Sequence, residues 1–215
     1  MNFYKLNRIR NVFMSDNKMN DFIVKVNPES QVLLSAPHAV SQVRLGKTKV
    51  AEIGSTNTVL WLNYLTNANM IIKTKNNYDD VNFDDSSDYK NQIDNLIKNV
   101  NIQYLLDFHG LASSRNCDVN LGTNFGKNVS KNEKLFDKLL KNLQDNGFIC
   151  SIDQPFSGGV KTIAGSQKIK NCNLWTIQVE VNSNITNIPQ NFQKFKKLIK
   201  IFEDFILSID KRNNN

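Results

Sequence analysis

Ile102-Gln103-Tyr104-Leu105-Leu106-Asp107-Phe108-His109-Gly110 is a mostly apolar run that breaks off in an acid, a histidine and a glycine. A short apolar run bounded by a glycine fits a buried strand, here Ile102 to Phe108. The segment before it fits a helix: Tyr89, Ile93, Leu96, Ile97 and Val100 recur three or four apart behind Ser86 or Ser87 as N-cap. A helix that feeds directly into a buried strand is the repeating unit of a sheet covered on both faces.

The same alternation extends outward. Upstream, Phe22 to Val26 and Gln31 to Ala36 are strands separated by the turn Asn27-Pro28-Glu29-Ser30, and Met70 to Thr74 is a third. Between them a helix over Thr56 to Leu65 carries Val59, Leu60, Leu62 and Leu65, with Ser55 or Thr56 as N-cap. Downstream, Cys117 to Gly122 alternates as a strand, and Lys131 to Asn146 is a helix striped with Leu135, Phe136, Leu139, Leu140 and Leu143 and stopped by Gly147. Strands over Phe148 to Ile152 and Leu174 to Val181 and an amphipathic helix over Pro189 to Lys211 complete the pattern. The expected fold is α/β: one three-layer domain whose mixed, mostly parallel sheet lies between helices. Residues 21–211 are expected to form this domain, after an N-terminal extension over 1–20 and before a disordered tail over 212–215.

Composition narrows the function classes. At 215 residues, 40% hydrophobic and 22% charged, with nine Gly and four Pro, the chain reads as a folded globule. No run approaches the ~18 apolar residues of a membrane span, and the basic start has no apolar segment behind it. Three cysteines without CxxC spacing argue against a disulfide framework and a cysteine-based metal site, so a cytoplasmic protein is expected. The net charge of +7 suits an acidic partner, but only five residues are arginine and the lysines do not interleave with aromatics, so nucleic acid is not expected.

In an open α/β sheet, functional groups gather beyond the carboxyl ends of the strands. The chain has two histidines, and both stand there: His38 ends Leu33-Leu34-Ser35-Ala36-Pro37, and His109 ends the run quoted first. Singly, each could be a hydrogen-bonded structural imidazole. Together they favour a shared site, and hydrolytic zinc takes neutral imidazoles plus a carboxylate. Glu52 is the first carboxylate after His38, and Gly46 between them lets the chain turn back, although Glu52 could also simply lead a helix. Asp107 shares a strand face with His109 and suits orienting an imidazole.

Thr176, Gln178, Glu180 and Asn182 share one face of a strand whose other face is Ile177, Val179 and Val181. A carboxylate set among valines needs a partner or a task, so Glu180 is the candidate general base toward an attacking water; pairing with Lys161 or Arg115 is the structural alternative. Gly158-Gly159, in a loop after a strand, could let backbone N–H groups approach a substrate. Arg115 offers the planar fork that fits a carboxylate, with Arg44 and Lys161 as competitors.

In this order the pieces resemble the N-formylglutamate amidohydrolase family, a branch of the zinc-carboxypeptidase-like hydrolases that includes aspartoacylase. The matching residues are Ser35-Ala36-Pro37-His38, Glu52, Asp80-Val81-Asn82, Asp107-Phe108-His109-Gly110, Arg115 with Asp118-Val119-Asn120-Leu121-Gly122, Phe156-Ser157-Gly158-Gly159 and Gln178-Val179-Glu180-Val181. The resemblance implies a metal held by His38, Glu52 and His109, here expected to be one zinc ion, and Glu180 as catalytic acid/base; Asn82, Arg115, Gly158, Gly159 and Lys161 are the residues expected toward the substrate. It implies cleavage of the amide of an N-formyl or N-acyl amino acid, with an acidic substrate expected. Two other readings stay open: a hydrolase of a polymer such as poly-γ-glutamate or peptidoglycan, and a non-catalytic binding domain that keeps the fold. The family branch often has arginine after its Asp-x-Asn segment, where this chain has Phe83.

Overall fold

A computed structural model describes residues 1–212. In chain order its elements are α1 (Phe3–Asp16), β1 (Phe22–Lys25), β2 (Val32–Ala36), β3 (Gln42–Arg44), β4 (Lys47–Lys49), α2 (Ile53–Thr66), β5 (Asn69–Lys73), α3 (Asp88–Asn99) and β6 (Tyr104–Leu111). There follow β7 (Val119–Gly122), α4 (Glu133–Asp145), β8 (Cys150–Ile152), α5 (Ile163–Lys170), β9 (Trp175–Asn182), α6 (Ser183–Thr186), a 3-10 turn (Pro189–Asn191) and α7 (Phe192–Arg212).

Seven strands form one sheet in the order β1-β5-β2-β6-β9-β7-β8. Strands β5, β2, β6 and β9 run parallel, β1 and β7 join them antiparallel, and β8 is parallel to β7. This is the mixed, mostly parallel sheet that the alternating pattern predicts. Both faces of the centre are covered, which is why β2 and β6 read as nearly continuous apolar runs. On one face Leu34, Leu106, Phe108, Ile177 and Val179 pack with Trp61 and Leu62 of α2 and with Phe195 and Phe202 of α7. On the other, Leu33, Ile71 and Leu105 meet Tyr89, Ile93 and Leu96 of α3 and Ile163 of α5.

Local chemistry sets the element ends. Ser87 caps α3, its side chain accepting from the Lys90 backbone N–H at 3.2 Å, and Gly147 after α4 takes φ +81°, the left-handed geometry glycine allows. Helix α2 starts earlier than the sequence suggests: Glu52, not Ser55 or Thr56, is its N-cap residue, and Ser55 sits in the first turn with its hydroxyl donating to the Glu52 carbonyl. The Glu52 side chain makes no capping bond, because it is engaged elsewhere.

The N-terminal residues 1–20 contain α1, which buries Leu6 in the main core with Phe3, Phe13 and Met14 packed at its margin. Strands β3 and β4 form a hairpin whose turn residues Leu45 and Gly46 have φ of 51° and 73°, the paired positive angles of a tight hairpin turn. Of the expected tail, Arg212 ends α7, and residues 213–215 lie outside the described residues. No helix among the described residues is long and apolar enough to cross a membrane, and all three cysteines are free.

Candidate metal centre and active-site cleft

His38 follows the end of β2 in a tight turn, and His109 lies near the end of the neighbouring strand β6. The β3–β4 hairpin then folds the chain back so that the Glu52 N–H donates to the His38 carbonyl at 2.8 Å, placing the Glu52 side chain beside both rings. The Nδ1 atoms of His38 and His109 are 3.2 Å apart. Glu52 Oε1 is 2.9 Å from His38 Nδ1, and Glu52 Oε2 is 3.3 Å from His109 Nδ1. Gly110 makes room for this approach: its N–H donates to Glu52 Oε2 at 2.9 Å, and a Cβ there would come within 3.2 Å of the Glu52 Cβ.

The far nitrogen of each ring is tied to a fully buried carboxylate. His38 Nε2 is 2.9 Å from Asp80 Oδ1, and His109 Nε2 is 3.1 Å from Asp107 Oδ2. Such a carboxylate holds the proton on Nε2 of a neutral ring and leaves the Nδ1 lone pair facing inward. Asp107 is itself held by Ser35, whose hydroxyl donates to Oδ1 at 2.7 Å. The three inward-facing donors fit a divalent ion: ligands ~2.0–2.2 Å from one tetrahedral centre stand ~3.2–3.6 Å apart, close to the observed spacing. The charges agree with this. Glu52, Asp80 and Asp107 surround two imidazoles with three carboxylates in a buried space. Burial pushes both histidine pKa values down, but the carboxylates outweigh it and raise both; Glu52 is held well below its usual range because the imidazoles outweigh its burial. The pocket therefore favours positive charge.

Strand register sets Glu180 directly across from His109, so both project from the same face. Glu180 is 4% exposed, and Gln178 Nε2 donates to its Oε1 at 2.6 Å. Burial, assisted by nearby Glu52, pushes its pKa up to about 7 against the opposing pull of His109. No ion pair joins Glu180 to Arg115 or Lys161 among the described residues.

These groups open into a cleft of about 550 Å³ lined also by Arg44, Asn82, Phe83, Arg115, Gly158, Gly159 and Lys161. Every residue expected at the substrate faces this one space, and Asp107 lies behind the His109 ring. The structure gives several of them a further task. Asn82 Oδ1 accepts from the Ile163 N–H at 2.8 Å, tying its loop to the start of α5. Gly158 has φ +65°, and a Cβ there would come within 2.7 Å of the Gly122 carbonyl oxygen, so glycine is required for the loop to pack on β7. Buried Lys90 stitches both loops together, its Nζ donating to the carbonyls of Asp84 and Lys161. Asp80 as the anchor of His38, and Gln178 as the partner of Glu180, are site residues that the sequence analysis did not assign.

No protein-family model matches the sequence, and no curated protein matches it. Solved structures do resemble it. N-formylglutamate amidohydrolase from Ralstonia eutropha JMP134 superposes with a TM-score of 0.65 at 11% identity, covering 89% of this chain and 97% of that one. A bacteriophage poly-γ-glutamate hydrolase gives 0.55 at 14% identity over 88% and 89%. A metallo-carboxypeptidase from Pseudomonas aeruginosa gives 0.54 at 12% identity over 96% and 69%. The chain therefore has a zinc-carboxypeptidase-like fold.

Proposed function

We propose that this protein is a zinc-dependent amidohydrolase that cleaves the amide bond of an N-formyl or N-acyl amino acid with an acidic side chain. One observation carries the reading: two histidine Nδ1 atoms and a carboxylate converge at about 3 Å, each imidazole pinned from behind by a buried aspartate, in a cleft beside a buried glutamate that has no ion-pair partner among the described residues. His38, Glu52 and His109 would hold the ion, which supplies Lewis acidity, polarising the amide carbonyl and making water a stronger nucleophile. Glu180, in its carboxylate form, accepts the proton of the attacking water and returns it to the leaving nitrogen. Burial makes it basic enough for that at neutral pH. Gln178 fixes the orientation of the carboxylate by donating to Oε1, leaving Oε2 without a partner among the described residues.

A polymeric acidic substrate is the second reading. Arg44, Lys49, Arg115 and Lys161 all border the cleft, more cationic groups than a single small anion requires. Action in the cytoplasm belongs to the same proposal, in keeping with three free thiols. Protein reconstituted with zinc, assayed for formate release from N-formyl-L-glutamate, for amine release from N-acyl acidic amino acids and for chain shortening of poly-γ-glutamate, tests both. Turnover of N-formyl-L-glutamate or of an N-acyl acidic amino acid without the polymer supports the primary reading, turnover of the polymer alone supports the second, and turnover of none of these with one ion bound defeats both.

A further inference from the structure

We infer that Arg44, presented by the β3–β4 hairpin, is the anchor for a substrate carboxylate in this cleft. Three arrangements point to it. Its Nε donates to Asp80 Oδ2 at 2.7 Å, so the side chain is fixed by the same fully buried carboxylate that holds His38 through its other oxygen. Its guanidinium lies over the Phe83 ring, 4.7 Å from the centroid, which holds the plane of the fork. Its two terminal nitrogens have no partner among the described residues, and the residue borders the cleft. A guanidinium bound through Nε, with its terminal nitrogens unpartnered beside a cleft, is a preorganised receptor for a planar carboxylate, because little side-chain entropy is left to lose.

The competing cations lack this construction. Arg115 is exposed, and no hydrogen bond or ion pair holds its guanidinium among the described residues. Lys161 is exposed, 3.7 Å from Asp85 and 5.3 Å from the Phe83 centroid, so it adds positive charge at the same ring without a fixed geometry. Asp80 links the two functions: one oxygen orients a metal-binding histidine and the other orients the carboxylate receptor. A carboxylate seated on Arg44 is thereby placed at a fixed distance from the His38 ring, which is how recognition can set the position of the scissile amide.

This inference rests on the hydrolase reading for its substrate, but it can be tested apart from turnover. Isothermal titration of the zinc-loaded protein with glutarate and with glutaramide, which differ in charge and hardly in shape, reads carboxylate recognition directly. Wild-type protein is expected to prefer glutarate by roughly tenfold or more, and Arg44→Gln to abolish that preference while still binding zinc. Arg44→Lys should recover only part of it, because an ammonium cannot bond Asp80 and present a fork together. Lys161→Gln should keep most of it. A wild-type protein without the preference overturns the assignment, as does an Arg44→Gln protein that retains it. Hydrolysis of an uncharged N-formyl amino acid amide, measured alongside, shows whether the catalytic reading stands when the anchor does not.

Discussion

The Nδ1 atoms of His38 and His109 face each other across 3.2 Å although the residues are 71 positions apart, and each ring is turned that way by a buried aspartate at its Nε2. Two basic nitrogens pressed together in a buried space are unfavourable unless a proton or a cation lies between them and the adjoining carboxylate. His38→Ala and His109→Ala are each expected to lose tight zinc binding while keeping a wild-type far-ultraviolet circular dichroism spectrum. Metal analysis after dialysis checks the first part.

Asp80→Asn and Asp107→Asn keep the size of the anchoring side chains but offer an amide where a carboxylate held Nε2–H. Each is expected to weaken zinc affinity by roughly 10–100-fold, the usual cost of losing such a partner. Competition with a chelator of known affinity measures the change; unaltered affinity in both would mean the aspartates do not set the ring tautomers.

Glu180 gives the pH dependence a definite sign. Its proton-accepting form is the carboxylate, so kcat/KM should fall about tenfold per pH unit below its pKa. The group sits at about 7 in the metal-free protein, and a nearby dication lowers that value, so the acid limb is expected at or below pH 7. Replacing Glu180 by Gln should remove turnover by roughly two orders of magnitude or more. Stability should move the other way. Because the folded-state pKa lies above the ordinary value of 4.5, this group's contribution is present at low pH and lost as pH rises through 7. The non-ionising Glu180→Gln should therefore stabilise the metal-free protein at pH 8, by on the order of 1–3 kcal/mol. A large loss of stability with turnover intact would make Glu180 a structural residue.

Lys90 reaches the cleft only through its loops. Lys90→Met removes the ammonium between the Asp84 and Lys161 carbonyls and leaves both acceptors unpaired. The expected cost is about 1–3 kcal/mol in denaturant unfolding. A raised KM with zinc affinity unchanged would follow, since the loops it joins line the cleft and the ligands are elsewhere.

Much of this was legible in the sequence where periodicity or position carried the signal. The ends of the apolar runs that form β2 and β6 mark His38 and His109, and the alternation of Thr176 to Asn182 puts Glu180 on the polar face. Asp80 was not legible as the partner of His38. It lies 42 positions away in a segment without strand or helix, and only its Asp-Val-Asn context in the family resemblance marked it. Helix α1 was missed because its polar residues leave a single fully buried position, Leu6, too little to make a stripe. Helix α5 is eight residues long, and its Gly165 is a poor helix former kept because a Cβ there would come within 2.1 Å of the Gly159 carbonyl oxygen. The sequence shows Gly158-Gly159 as a loop that can approach a substrate, but not that Gly158 is also demanded by packing against Gly122.

Metal dependence of amide hydrolysis tests the central claim most directly. Protein stripped with a chelator should release no formate from N-formyl-L-glutamate and no amine from N-acyl acidic amino acids, and stepwise addition of zinc should restore turnover that saturates at one ion per chain. Turnover that survives complete metal removal, or zinc bound at one equivalent with hydrolysis of neither these substrates nor poly-γ-glutamate, would contradict it.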